Sequence, residues 1–153
     1  CAKGIGGGIP IGAILTSTKI AECMQLGSHG STFGGNPLAC AVAEQVMIML
    51  SKKSLLNGVK KKEKLFLNEL KKINKEFKCF SAIRSSGLWI GCKLNATEKF
   101  NLDTLMKACY EKGLMILKAN NNTIRLAPSL IIEDEIIMKG LKILRQAIQE
   151  QLR

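Results

Sequence analysis

Lys3 is followed at once by a glycine cluster in the opening stretch CAKGIGGGIPIGA. A lysine amine forms covalent bonds with carbonyl groups when desolvation or nearby cations favour its neutral form. Glycine permits positive φ and close backbone approach, so the cluster can leave room for a carbonyl cofactor beside Lys3. The residues alone leave a second interpretation open, a surface lysine at a frayed terminus.

Two hydroxyl side chains, Ser31 and Thr32, stand directly ahead of a predicted helix in the stretch GSHGSTFGGNP. Asn36 is a preferred N-cap residue, and Pro37 suits the first helical position because its missing N–H costs nothing there. Backbone amides and the positive end of the helix dipole favour phosphate at such a helix start. The stretch therefore predicts either a phosphate-binding loop or an ordinary capped loop.

Arg125 lies between Ile124 and Leu126 on a predicted short strand, TIRLAPSL. Side chains alternate along a strand, so Arg125 can point away from both apolar neighbours. A planar guanidinium suits bidentate capture of a carboxylate, which makes a carboxylate site one interpretation. An arginine in solvent on an edge strand is the other.

Motifs of nucleotide, serine-hydrolase and metal sites are missing from the sequence. Lys3 precedes the glycines, which is the wrong order for a P-loop, and neither GxGxxG nor GxSxG occurs. The six cysteines form no CxxC pair and His29 is the one histidine, so we expect no zinc or iron–sulfur site. Cysteines scattered among small apolar residues indicate a reducing compartment, and we infer the cytoplasm.

The formal net charge of +11 comes mainly from lysine, much of it in the segment KKKEKLFLNELKKINKEFK. These lysines interleave with apolar residues at helical spacing, which indicates the solvent-facing side of a helix. A surface that binds polyanions is the alternative, although aromatic residues for stacking make up only 5 % of the chain. No apolar run reaches the ~20 residues of a membrane span. We therefore expect neither nucleic acid nor a membrane as a partner.

Helical patterns fill the first half of the chain. A short helix is predicted near Thr18 to Met24, and a buried one over Leu38 to Leu50 behind the Asn36 cap. Ser54 is predicted to cap a longer third helix. The apolar stripe of that helix recurs at spacings of seven, four, three and four, at Val59, Phe66, Leu70, Ile73 and Phe77.

Strands and helices alternate in the second half. CFSAIRSSGLWIGCKL predicts two strands around Ser85–Ser86–Gly87, and LMILKA and TIRLAP predict a second pair joined through the asparagines at 120–122. Between the pairs lies a helix with an Asn101 cap and a Gly113 stop. The last helix begins with acidic residues and ends at Arg153, which matches the macrodipole. Its stripe is Ile137, Leu141, Leu144, Ile148 and Leu152.

The predicted order from residue 54 is helix, strand, strand, helix, strand, strand, helix, which is typical of a compact α+β or α/β unit. The preceding stretch has loops, a short helix and an apolar helix, but no strands to pack against. We therefore divide the chain into residues 1–50 and 51–153.

Taken together, AKGIGGGIPIGAILTSTKIA, GSHGSTFGGNPLACAVA and IRLAPSLII resemble the C-terminal part of the class III, pyridoxal-phosphate-dependent aminotransferases. The resemblance covers essentially the whole chain and is closest to the acetylornithine aminotransferase group, which includes enzymes that also use succinyldiaminopimelate or ornithine. It implies an α/β fold, the C-terminal part of a fold-type I pyridoxal-phosphate-dependent transferase. Residues 1–50 would be the end of the large cofactor-binding domain with a connecting helix, and 51–153 the small C-terminal α/β domain.

The resemblance also implies roles for single residues. Lys3 matches the lysine that holds pyridoxal 5'-phosphate covalently and then moves a proton between substrate Cα and cofactor C4′. Thr32 matches the threonine that hydrogen-bonds the cofactor phosphate, usually that of the neighbouring subunit, and Ser31 beside it would assist. Arg125 matches the arginine that binds the substrate α-carboxylate. These groups together form a consistent site for an amino acid and this cofactor.

The implied activity is ping-pong transfer of the terminal amine of N-acetylornithine to 2-oxoglutarate, in arginine biosynthesis, by a cytoplasmic homodimer. Use of succinyldiaminopimelate would add a step of lysine biosynthesis. An ornithine or 4-aminobutyrate aminotransferase is the near alternative. A basic binding or dimerisation fragment without catalysis is the alternative of a different class.

Members of the family have a far longer chain than this one. The aspartate that pairs with the cofactor ring nitrogen, the aromatic residue that stacks on the ring and a glycine-rich phosphate turn all precede the lysine there. We therefore expect this chain, which opens on Cys1, to be the C-terminal portion of such an enzyme and to be inactive alone.

Overall fold

The computed structural model describes residues 1–98, 100–119 and 122–152, in two compact units, Cys1–Lys53 and Ser54–Arg153. The boundary lies close to the predicted division after residue 50. The assignment of the two parts to a large and a small domain stays a prediction.

The first unit is mostly loop around two helices. A 3₁₀ turn spans Lys3–Gly6, and helices α1 and α2 span Thr18–Ala21 and Pro37–Leu50. Helix α2 starts as predicted, because the Asn36 side-chain oxygen accepts a hydrogen bond from the backbone N–H of Ala39 at 2.9 Å and proline takes the first helical position. Helix α1 is shorter than predicted.

The prediction that α2 is buried is wrong. In this helix only Ala39 and Ala43 are buried, and its larger apolar side chains are exposed: Leu38, Met47, Ile48 and Met49. Its apolar residues are distributed around the helix rather than along one face. The first unit, all of whose residues are described, contains no strand that could cover them.

The second unit has the predicted order of elements. These are α3 (Lys53–Phe77), β1 (Phe80–Ser86), β2 (Trp89–Leu94), α4 (Leu102–Glu111), β3 (Leu117–Ala119), β4 (Thr123–Leu126) and α5 (Asp134–Gln151). The Ser54 cap is wrong, because α3 already begins at Lys53 and Ser54 lies in its first turn. The Asn101 cap is confirmed, since its side-chain oxygen accepts from the N–H of Thr104 at 3.1 Å.

The four strands form one antiparallel sheet in the order β1-β2-β4-β3. One face of the sheet packs against α3, α4 and α5, and the predicted stripes supply the core: Phe66, Leu70, Ile73, Ile137, Leu141, Leu144 and Ile148 are all buried. Leu152 alone of the last stripe lies outside it, 43 % exposed beyond the end of α5. The mixed α/β class expected from the sequence is therefore confirmed.

Residues with positive φ end several of these elements. Gly87 (φ 59°) turns β1 into β2, and a Cβ there would lie 3.1 Å from Val59 Cγ1, so the turn sits tightly on α3. Gly113 (φ 80°) follows the last turn of α4 and ends the helix, as predicted. Of the predicted turn at 120–122, Asn120 and Asn121 lie outside the described residues, and so does Arg153, the predicted end of the last helix.

The outer face of the sheet is the one turned away from the core. It carries alternate residues of the strands, among them Arg84, Trp89, Gly91, Lys93 and Arg125, and the register sets Gly91 opposite both Arg84 and Arg125. The intervening residues of β2 and β4 are buried in the core. This face therefore presents Arg84, Lys93 and Arg125, whereas Lys118 of β3 pairs with Ile124 and lies on the opposite face.

None of the helices in the described ranges combines the length and the apolar character needed to cross a lipid bilayer.

Candidate functional site

Lys3 opens the 3₁₀ turn of the first unit with its backbone in the left-handed region, at φ 56°. A non-glycine residue costs about 1 kcal/mol there, and such strain concentrates at functional positions. The chain before Lys3 is fixed rather than frayed, because Cys1 and Ala13 exchange two backbone hydrogen bonds of 2.7 and 2.8 Å. The frayed-terminus interpretation is therefore wrong for this structure.

The glycines around Lys3 serve two different purposes. Gly7 lies against α2, where a Cβ would come within 3.1 Å of Val46 Cγ2 and 3.4 Å of Val42 Cγ1. At Gly4 and Gly8, by contrast, a Cβ would meet nothing within 4 Å. One glycine thus lets the turn approach the helix, while the others leave open space on either side of it.

The amine of Lys3 is available to a ligand. The side chain is exposed, and among residues 1–98, 100–119 and 122–152 it has no hydrogen-bond or ion-pair partner. An unpaired amine beside open space is what a carbonyl compound needs in order to reach it.

Ser31 and Thr32 lie in a turn fixed by its own backbone. The N–H of Gly34 donates to the carbonyl oxygen of Ser31 at 3.2 Å, and a Cβ on Gly34 would lie 3.0 Å from Ser31 Cβ. The Asn36 side-chain N–H donates to the carbonyl of Phe33 at 2.8 Å, which ties the turn to the start of α2. Two exposed hydroxyls are thereby held at the positive end of a helix.

The 3₁₀ turn that contains Lys3 and the turn that contains Ser31 and Thr32 lie at different positions along α2. Gly7 packs beside Val42 and Val46, whereas Thr32 precedes the Asn36 cap. At 1.5 Å per residue, the contact with Gly7 lies roughly 9–15 Å along the helix from its start. The described residues include no hydrogen bond between Lys3 and either hydroxyl. Lys3, Ser31 and Thr32 belong to the first unit, and Arg125 to the second.

Arg125 lies on β4, an interior strand between β2 and β3, so the edge-strand interpretation is wrong. Its neighbour Ile124 is fully buried in the core, whereas the guanidinium of Arg125 lies over the ring of Trp89, 5.5 Å from the ring centre. The Nε atom of Arg125 is buried, and no hydrogen-bond partner for it exists in the part of the chain that is described. A buried donor without a partner is costly.

A cavity of about 440 Å³ adjoins Arg125 at one end of the sheet. Apolar side chains line most of it, including Leu114, Met115, Leu117 and Ile136. Several of these walls belong to the core side of the sheet, whereas the guanidinium of Arg125 lies over Trp89 on the outer face. No local pattern in the sequence indicates this cavity, because its walls come from α3, α5 and the strands together.

The cysteines divide into two groups of three. Burial raises the pKa of Cys79 to about 11, of Cys92 to about 12 and of Cys109 to about 11, so these thiols stay protonated and unreactive at neutral pH. Cys1, Cys23 and Cys40 are exposed. In the described parts of the chain, no three His, Cys, Asp or Glu side chains are grouped so as to hold a metal ion.

We predict that a thiol reagent labels Cys1, Cys23 and Cys40 in the folded protein, and Cys79, Cys92 and Cys109 only after unfolding. The folded-state pKa values of about 11–12 exceed the ordinary 9.0. The buried thiols therefore stabilise the fold fully below pH 9, and that contribution is lost as the pH rises through 11. The free energy of unfolding by urea should be smaller at pH 10.5 than at pH 8. This difference should be smaller in Cys92→Ala. Equal labelling of all six thiols would contradict the burial.

Comparison with known proteins gives the relatives of the chain. The pattern of the family described as "Aminotransferase class-III" matches residues 1–148. The chain is 46 % identical over 151 residues to the acetylornithine/succinyldiaminopimelate aminotransferase of Buchnera aphidicola, covering 99 % of this chain and 37 % of the relative. It is 46 % identical over 149 residues to a succinylornithine transaminase of Yersinia pseudotuberculosis, covering 97 % of this chain and 36 % of that protein.

Solved structures agree with the sequence comparison. The acetylornithine aminotransferase of Elizabethkingia anophelis superposes with a TM-score of 0.80 at 34 % identity, over 97 % of this chain and 38 % of that one. The chain thus spans little more than a third of the length of the curated relatives that it matches.

Proposed function

Because this chain belongs to the class III aminotransferases, we propose that it supplies the C-terminal part of the active site of a pyridoxal-phosphate-dependent enzyme. The enzyme would transfer the terminal amine of N-acetylornithine to 2-oxoglutarate, as a step of arginine biosynthesis. The observation that carries the proposal is the 46 % identity over 99 % of the chain to an enzyme named for acetylornithine and succinyldiaminopimelate.

The residues present fit pyridoxal 5'-phosphate. Lys3 offers an amine without an ion pair among the described residues, and the open space at Gly4 and Gly8 leaves room for a ring beside it. Ser31 and Thr32 offer hydroxyls to a phosphate at the start of α2. When bound, this cofactor would supply an electron sink for breaking the C–H bond at the amine-bearing carbon.

Lys3 would have two tasks. Its Nζ would hold the cofactor. When free, the same amine would act as a general base and accept the proton of the amine-bearing carbon. The exposed position of Lys3 and the space around its turn support this movement.

Arg125 would bind a substrate carboxylate. A planar guanidinium can bind a carboxylate with two parallel hydrogen bonds, and Arg125 carries its guanidinium on the outer face of the sheet over Trp89. Arg125 would thus fix the orientation in which the substrate meets the reacting group.

Thr32 would serve the cofactor phosphate of the partner subunit in a homodimer, with Ser31 assisting. The exposed apolar side chains of α2 are suited to burial in a subunit contact. The free cysteines support the cytoplasm as the compartment.

A substrate panel on the protein as the cell makes it tests the proposal. The donors are N-acetylornithine, N-succinylornithine, succinyldiaminopimelate, ornithine and 4-aminobutyrate, each with 2-oxoglutarate, and glutamate formation is measured. We expect the highest kcat/KM with N-acetylornithine, and no turnover from the 153-residue chain alone. A preference for ornithine or 4-aminobutyrate would replace the proposed donor. Salt-sensitive retention of nucleic acid without any amine transfer would support a non-catalytic basic fragment instead.

A further inference from the structure

Trp89 is the single tryptophan of the chain, and it lies on the outer face of the sheet with 63 % of its surface exposed. Tryptophan normally buries much of its large apolar surface. Core packing therefore does not explain its position. Its ring lies against the guanidinium of Arg125, whose carbon is 5.5 Å from the ring centre.

The register of the sheet creates this contact. Strands β2 and β4 pair antiparallel with Gly91 opposite Arg125, so Trp89, two residues before Gly91, is the diagonal neighbour of Arg125 on the same face. Gly91 contributes no side chain. Nothing from β2 therefore stands between the indole ring and the stem of the arginine.

A ring over the guanidinium restricts the plane of the arginine fork. The arginine side chain has many rotamers, and each freedom lost on binding weakens the binding of a ligand. A guanidinium already held over an aromatic face loses less freedom when a carboxylate binds.

We propose that Trp89 is a positioning residue, whose ring holds the Arg125 guanidinium in the orientation in which it binds the substrate carboxylate. The inference rests on the proposed function, in which Arg125 binds that carboxylate. Trp89 acts through Arg125 and makes no contact of its own with the reacting atoms.

The test compares Trp89→Leu, Trp89→Phe and Tyr110→Leu in the protein as the cell makes it. Trp89→Leu removes the ring and should raise KM for 2-oxoglutarate about two- to fivefold, with kcat unchanged. Trp89→Phe keeps an aromatic face and should restore most of the affinity. Tyr110→Leu changes an equally exposed aromatic residue on α4 and should leave both constants unchanged. Equal KM for Trp89→Leu and the unaltered protein would overturn the proposal.

A double-mutant cycle separates this proposal from the role of Arg125. If Trp89 acts through Arg125, Trp89→Leu has no further effect on KM once Arg125→Ala is present. An equal effect of Trp89→Leu in both backgrounds would overturn the positioning role and leave the carboxylate role intact. No rise in KM for Arg125→Ala alone would overturn the carboxylate role, and the inference with it.

Discussion

Substitution of Lys3 by alanine is expected to lower kcat for amine transfer by at least about 10³-fold. In the proposed function, the variant would lose both the covalent attachment of the cofactor and the base that accepts the substrate proton. Among the described residues the Lys3 amine has no hydrogen-bond or ion-pair partner, and the backbone of Lys3 lies at φ 56°. Single-turnover absorbance at the cofactor band, together with steady-state glutamate formation, measures the effect.

Lys19→Ala is the matched control for this experiment, because Lys19 is another exposed lysine of the first unit. Its kcat should stay unchanged. Added methylamine should partly restore turnover to Lys3→Ala, since a free amine can replace the missing base. Full activity of Lys3→Ala would show that the chemistry depends on another residue.

Substitution of Arg125 by alanine is expected to raise KM for 2-oxoglutarate about 10- to 100-fold, which is the loss of charge-assisted hydrogen bonds to a carboxylate. The effect should fall mainly on KM, because in the proposed function Arg125 would bind the substrate and exchange no proton with it. Arg125→Lys keeps the charge without the planar fork and should give an intermediate KM. Initial rates over a range of 2-oxoglutarate concentrations measure both variants.

Arg145→Ala is the control for Arg125. Arg145 pairs with Glu76 at 2.7 Å on the exposed surface of the second unit, so its loss should change neither KM nor kcat. A 2-oxoglutarate analogue with an amide in place of the carboxylate is a second control. It should bind more weakly than 2-oxoglutarate, and its KM should be the same in Arg125→Ala as in the unaltered protein. Unchanged kinetics for both substrates in Arg125→Ala would exclude the carboxylate role.

Local signals in the sequence predicted the elements of the second unit well. The Asn101 cap, the Gly113 stop and the apolar stripes of α3 and α5 depend on neighbours three or four residues away. Such neighbours are visible in a linear sequence. The order of helices and strands followed from them.

Burial of α2 could not be predicted in the same way. Its mean composition is apolar, but burial depends on a partner surface, and the first unit contains no strand to provide one. Composition alone therefore gave the wrong prediction for Met47 and Ile48.

The contact of Trp89 with Arg125 also lay beyond sequence analysis. It arises because β2 pairs with β4 across the intervening helix and strand, and because Gly91 falls opposite Arg125. Neither the pairing nor the register of non-consecutive strands can be read from local patterns. The one available signal was the alternation in WIGC, which sets Trp89 and Gly91 on the same face.

Covalent attachment of the cofactor to Lys3 is the central claim, and peptide mapping tests it most directly. The protein as the cell makes it is incubated with pyridoxal 5'-phosphate, reduced with borohydride, digested and analysed by mass spectrometry. We predict that the cofactor mass lies on the peptide that contains Lys3, and that Lys3→Ala removes it. A stable adduct on a different lysine, or none at all, would contradict the assignment of Lys3.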